Sequence, residues 1–238
     1  MRNIITIPFN SQDSLIIASD NSGAIGMKED DFVRAPYETV AYYSFRVAVM
    51  ECIAAGGQPI SVVLHNFCGN EPWDELVRGI QKGLSELKLK NVSITGSTES
   101  NFTFMQSAVG LIVLGKKSTN QTTLETYSNQ MKIAVVGLPL VGSEVIDQHD
   151  EVAPLSIFQE ICMMDGVMTW PVGSKGILSE LNQMFPIEGF SREKVITTVD
   201  VLKSSGPATC FIAVYHAGQE ERLMKIAGGF FHSIQIGK

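Results

Sequence analysis

From Lys116 to Gln130 the chain reads Lys-Lys-Ser-Thr-Asn-Gln-Thr-Thr-Leu-Glu-Thr-Tyr-Ser-Asn-Gln, with Leu124 and Tyr127 its only bulky apolar residues. A segment this polar has little to bury, so it predicts a linker and divides the 238 residues into two domains, 1–118 and 131–238. With 45% apolar residues overall, there is enough to fill a core on each side. Both sides show strand and helix patterns in alternation, which sets the fold class as mixed α/β.

In the first half, Ile4–Ile7 and Leu15–Ala18 read as a strand hairpin turning at Asn10–Asp13. Tyr37 to Ala55 predicts a buried helix that stops at Gly56-Gly57, ahead of Pro59. Ile60–Phe67 follows as a strand. An amphipathic helix capped by Asn70 then carries Trp73, Leu76, Val77, Ile80, Leu84 and Leu87 on one face. Strands are expected at Val92–Thr95 and Met105–Gly115, the second with small residues suited to close packing or a dimer edge. The second half predicts strands at 132–136, 195–199, 208–215 and 230–236, and helices near 154–163, 174–185 and 219–227.

Charge narrows the function. A net charge of -7 and a pI near 5.1 leave no clustered Lys and Arg for a nucleic acid or an anionic membrane surface, so the expected partner is a small molecule. No apolar run is long enough to cross a bilayer. Cys52, Cys68, Cys162 and Cys210 form no C-x-x-C pair and the N-terminus lacks a signal-peptide core, which reads as a reduced, cytoplasmic protein.

Three short stretches carry acids among small residues: Ser19-Asp20-Asn21-Ser22-Gly23, Glu51 through Gly56-Gly57-Gln58-Pro59, and Thr95-Gly96-Ser97-Thr98-Glu99. Such a composition suits backbone that approaches a charged ligand closely. Taken alone, Asp20 also serves as an ordinary turn or cap residue. If Asp20, Glu51 and Glu99 converge, two carboxylates at ~4 Å repel by roughly 4 kcal/mol at a surface-like dielectric, and a cation must offset that. Hard oxygen ligands select Mg²⁺, which is commonly shared with nucleotide phosphates. The three acids are thus the expected metal ligands and catalytic centre.

Other motifs are weaker. Gly137-Leu138-Pro139-Leu140-Val141-Gly142-Ser143 has the spacing of a Walker loop without its Lys, and a strand-to-helix turn is the better reading. Gly173-Ser174-Lys175-Gly176 precedes a helix; Ser174 and Lys175 either attract an anion or form a plain capped loop. His65 and Asn66 end a strand, where they either contact substrate or serve the structure. No hydrolase triad, metalloprotease or zinc spacing is present.

In their order, these motifs resemble the aminoimidazole ribonucleotide synthetase-like (PurM-like) superfamily, in which an early Asp, a D-x-A-A-M-G-A-x-P helix segment and a later G-G-D-T followed by a strand carry magnesium and ATP. Asp20 stands at the first, Glu51 with Gly56 and Pro59 at the second, and Gly96-Ser97-Thr98 at the third. Glu51 replaces an Asp, and Ser97 replaces the Asp of G-G-D-T, leaving Glu99 to supply the lost ligand. The segments Asp20 to Gly26, Leu64 to Cys68 and Thr95 to Phe102 are similar to those of the α-ribazole kinase branch.

The resemblance implies a two-domain fold: a ferredoxin-like N-terminal domain that closes a barrel with a second copy, and a smaller C-terminal α+β domain. It implies ATP and Mg²⁺ as cofactors, Asp20 and Asn21 at the nucleotide, and Gly96, Ser97 and Thr98 offering backbone N–H groups to phosphates. The implied activity is phosphorylation of the 5′-hydroxyl of α-ribazole, a neutral nucleoside, by a homodimer. The alternatives are a thiamine-monophosphate kinase-like or amide-activating enzyme, and a non-catalytic nucleotide-binding protein.

Overall fold

The computed structural model describes residues 4–118, 128 and 130–237, and the chain forms two compact units, one holding residues 4–118 and the other the described residues from 128 onward. Among the described residues, no helix is long and apolar enough to cross a membrane.

The first unit is built on β1 (Ile4–Pro8), β2 (Asp13–Gly23), the short β3 (Ile25–Gly26) and β4 (Val33–Arg34), α1 (Tyr37–Ala54), β5 (Gln58–Asn66), α2 (Trp73–Glu86), β6 (Ser93–Thr98) and β7 (Ala108–Ser118). Five strands make one sheet in the order β1-β2-β7-β5-β6, antiparallel except for β5 and β6, and β3 pairs with β4 alone. At the β1–β2 turn, Asn10 Oδ1 accepts the N–H groups of Gln12 and Asp13 at 2.8 Å each, as a turn Asn does. One face of the sheet buries Ile16, Ala18, Val62, Leu64, Val109, Leu111 and Val113, and α1 lies along β2 and β7.

Helix α1 is apolar nearly all round, so it is enclosed by the sheet and by α2. It ends at Gly56, whose φ of 81° is the left-handed conformation glycine supplies. Against it, α2 buries Leu76, Gly79, Ile80, Gly83 and Leu84. A Cβ on Gly79 would strike the Glu38 carbonyl oxygen, so that glycine sets how near the two helices come.

The sheet corrects several expectations. β7 is central, between β2 and β5, so the exposed edge expected at Met105–Gly115 does not exist; the edges are β1 and β6. That strand starts at Ala108 and runs on to Ser118, taking Lys116–Ser118 from the expected linker; residues 119–127 and 129 of that linker lie outside the described residues. Asn70 does not cap α2 with its side chain. Pro72 is the N-cap, and Asn70 instead accepts the Trp73 N–H on its carbonyl.

The second unit holds β8 (Met131–Val136), α3 (Glu144–Asp147), α4 (Leu155–Cys162), β9 (Val167–Pro171), α5 (Gly176–Met184), β10 (Val195–Ile196), β11 (Phe211–His216), α6 (Glu220–Ala227) and β12 (Phe231–Ile236). Its sheet, β10-β12-β8-β11-β9, is antiparallel throughout. Ile212 and Val214 of β11 join Ile177 and Leu181 of α5 in one core. Phe211 faces the other way and meets Phe158 of α4 edge-on, ring centroids 5.0 Å apart. Both faces are therefore covered, and β11 reads as an unbroken apolar run. Strand β9 escaped the sequence reading. The strand expected from Ala208 begins only at Phe211, because Ala208 has a φ of 51°.

Candidate functional site

β-strand periodicity sorts the candidate residues between the two faces of the first sheet. Asp20 shares the helix-covered face with Ile16 and Ala18. Asn21 lies on the opposite, open face. The register aligns Asn21 with Gly110, Gly110 with His65, and His65 with Ser97, so these side chains form a row across β2, β7, β5 and β6. The glycine in the row leaves space for the imidazole: a Cβ on Gly110 would lie 3.5 Å from His65 Cβ.

Asn66 is buried and structural. Its Nδ2 donates to the Gly69 carbonyl at 2.7 Å and to Thr98 Oγ1 at 3.1 Å, while its Oδ1 accepts the Cys68 N–H at 2.8 Å. It fixes the exit of β5 against the end of β6. Gly96 belongs to β6 itself, where a Cβ would run into the Leu64 carbonyl. The strand expected to end at Thr95 thus runs on through Thr98 and takes in the expected phosphate donors Gly96–Thr98. The Glu99 N–H donates to Asn66 O at 2.8 Å, and the alternation of a parallel strand then turns the Gly96 and Thr98 N–H groups toward the free sheet edge.

The three acids do not converge. Asp20 and Gly96 occupy one row across the sheet with β7 and β5 between them, a separation of roughly 14 Å at strand spacing. Glu99 lies just beyond β6, its carboxylate accepting the Asn101 N–H at 2.7 Å. Glu51 is buried near the far end of α1, next to Cys52, whose sulfur fills the space a Cβ of Gly57 or Gly115 would need. The near end of that helix sits at the other end of the sheet, with Tyr37 Oη 3.0 Å from Ser107 Oγ; Glu51 is fourteen helical steps from Tyr37, about 21 Å. Among the described residues, no group of three or more His, Cys, Asp and Glu could hold a metal ion. The residues present do not fit the expected three-carboxylate magnesium shell.

What the sheet end does assemble is a tied set of loops that the sequence reading missed. Asp31 accepts the Lys28 N–H at 2.9 Å and the Ser107 N–H and Oγ–H at 2.7 Å each. Burial alone would raise its carboxyl, but the bonds from Ser107 and Lys28 outweigh burial and hold it below its ordinary 3.8. Lys28 Nζ donates to the carbonyls of Phe67 at 3.3 Å and Phe104 at 2.8 Å. Cys68 Sγ donates to Ala108 O, and burial pushes its thiol up. The β3–β4 loop and the loops after β5 and β6 therefore meet at one place. The clue in the sequence was the density of bulky apolar residues in a turn region, Phe102, Phe104 and Met105.

In the second unit, two donors of the Gly173–Gly176 turn are committed: Gly173 N–H bonds Glu180 Oε1 at 3.3 Å and Gly176 N–H bonds Gly173 O at 3.1 Å, while Ser174 and Lys175 are exposed. The Walker-like segment is likewise committed: the N–H groups of Gly137, Leu138, Leu140 and Val141 go to Phe230 O, Glu151 O, Thr209 Oγ1 and Glu144 Oε2. A cavity of about 680 Å³ opens beside β8 and β12, next to Lys132 and Glu220, which neutralise each other at 2.6 Å.

The fold defined by these two units is one seen in solved structures. PurL of T. maritima complexed with ATP superposes with a TM-score of 0.66 at 12% identity, covering 100% of this chain and 42% of that one. Thiamine monophosphate kinase from Aquifex aeolicus gives 0.62 at 12% identity, over 100% of this chain and 89% of that one. HypE in its complex with HypF gives 0.63 at 11%, over 98% and 87%. The chain thus shares the fold of these proteins and spans about two-fifths of the PurL chain. No protein-family profile and no curated protein sequence matches it.

Proposed function

We propose that the protein is an ATP-dependent kinase that phosphorylates the 5′-hydroxyl of α-ribazole. One observation carries the reading: the segments 20–26, 64–68 and 95–102, which resemble the α-ribazole kinase branch, lie at one end of one sheet, where Asn66 bonds Thr98 and the neighbouring Lys28, Asp31, Phe104 and Ser107 tie the adjoining loops. Support for the nucleotide comes from the shared fold with PurL chains complexed with ATP, ADP and AMPPCP.

In this reading, residues 1–118 carry the nucleotide and residues 131–238 form the second domain. The edge-facing N–H groups of Gly96 and Thr98, with Asn21 and Ser97, orient phosphates. The acceptor oxygen bonds to the γ-phosphorus as the bond to the β–γ bridging oxygen breaks; the hydroxyl loses its proton and ADP departs. Positioning supplies most of the rate. Magnesium comes with the nucleotide, whose phosphates provide ligands in place of the shell expected from Asp20, Glu51 and Glu99.

We also propose a homodimer. Toward the β1 edge the open face turns apolar: Ile5 pairs with Ile17 and Ile17 with Leu114, and Ile5 is 61% exposed. A second copy on that face would cover those residues and leave the row from Asn21 to Ser97 for ligands.

An ADP-release assay with ATP and Mg²⁺, run in parallel with α-ribazole, thiamine monophosphate and no acceptor, tests this. Turnover with α-ribazole alone is expected. Turnover with thiamine monophosphate alone would transfer the assignment to that kinase, and ATP binding without turnover in any arm would make this a nucleotide-binding protein.

A further inference from the structure

Beyond the row of polar side chains, the same face of β5 continues into an aromatic corner. Phe67 follows His65 by two residues, so it stands on the same face roughly 7 Å further on, and its N–H donates to Ala108 O at 3.0 Å, in line with the ladder. Phe104, from the loop after β6, meets it edge to face at 5.8 Å and 76°. Both rings remain open to solvent, at 37% and 43% exposure.

The corner is preset. Lys28 donates to the backbone carbonyl of each phenylalanine and lies 5.9 Å from the Phe104 ring centroid, so a single ammonium ties the two loops that carry the rings. A ligand entering it has little side-chain ordering left to impose. The charged groups around it are engaged: Lys28 with those carbonyls, Asp31 with Ser107, and Glu99 with the Asn101 N–H. What the corner offers is aromatic surface, and what the adjoining row offers is an imidazole, an amide and a hydroxyl.

We propose that Phe67 and Phe104 bind the planar heterocycle of an uncharged nucleoside, with its pentose lying along His65 and its hydroxyl directed toward the phosphates that Asn21 and Ser97 orient. The inference rests on the kinase reading only for which molecule arrives; the site itself follows from the geometry. Lys28 spends two of its three N–H donors on the Phe67 and Phe104 carbonyls and lies in the field of the Asp31 carboxylate, which leaves one donor for an acceptor that already bears phosphate and favours an uncharged one. Stacking on an aromatic face is sequence-tolerant for bases, and its loss typically weakens binding by roughly 5- to 100-fold.

The test measures dissociation constants by calorimetry for α-ribazole, adenosine, thiamine and 5,6-dimethylbenzimidazole on the full chain, with Phe104→Ala, Phe67→Ala and Phe104→Leu, alongside ATP as a control. Circular dichroism establishes that each variant is folded, and Phe104→Leu keeps apolar bulk while removing the π face. Expected is weaker heterocycle binding by at least about fivefold in both alanine variants, an intermediate loss in Phe104→Leu, and unchanged ATP binding. If α-ribazole fails to bind but another heterocycle binds and is lost with the rings, the corner stands and the kinase assignment falls. If the wild type turns over α-ribazole and the variants bind it equally well, the corner is refuted and the kinase remains. Failure of every heterocycle to bind the wild type, or variants that only dissociate an oligomer, would overturn the inference.

Discussion

Both units use a five-stranded sheet, yet they dispose of its two faces differently. In the second, α5 covers one face and α4 the other, so Phe211 through Tyr215 are buried without interruption. In the first, α1 and α2 cover one face only, and the other stays open, apolar toward β1 and polar toward β6. A sheet enclosed on both sides has used its side chains for stability. One left half open has side chains available for a second copy or a ligand, which is why the candidate site belongs to the first unit.

The largest expected effect sharpens the enclosed side of this contrast. Phe158→Ala removes the ring packed on Phe211 and should cost about 3–5 kcal/mol, read by urea unfolding followed at the buried Trp170. A loss below about 1 kcal/mol would mean that this face is not a core. Next comes the open face. Ile5→Glu with Ile7→Glu should convert a dimer to monomers in sedimentation at micromolar concentration and remove the concentration dependence of the unfolding midpoint, both residues being exposed in the single chain. Sedimentation showing wild-type monomers would break the idea that a second copy covers it.

The smallest effect concerns pH. Asp31 has a folded pKa below its unfolded value of 3.8, so its stabilising contribution is present above that value and disappears as pH falls through the folded one. Melting temperatures of the wild type and Asp31→Asn should differ by a constant amount above about pH 5 and converge below pH 3.8. Parallel curves over the whole range would show that the Ser107 and Lys28 bonds do not depend on the carboxylate charge.

How far the sequence could be read depended on whether a feature is local. Periodicity located α1, α2 and most strands of both units, and the glycine pair after Ala55 marked where α1 stops. Strand order is not local: β7 sits between β2 and β5 because of pairings 43 to 105 residues apart in the chain, and no window around Ala108 contains that information. The expected metal triad failed for the same reason. Asp20, Glu51 and Glu99 share a composition, but the helix that carries Glu51 runs away from the sheet end where the other two lie. Asn21, His65 and Ser97 were each singled out, and only the register shows that they form one row. Lys28, Asp31 and Ser107 have no motif; their importance is entirely in the bonds they make across the loops.

The most direct test of the account is hydrogen–deuterium exchange on the full chain with and without ATP, Mg²⁺ and α-ribazole. The account predicts ligand-dependent protection in peptides covering residues 19–23, 64–69 and 95–108. Protection confined to residues 173–178 and to the cavity lining at 188–194 and 231–237, with the three first-unit segments unchanged, would contradict it.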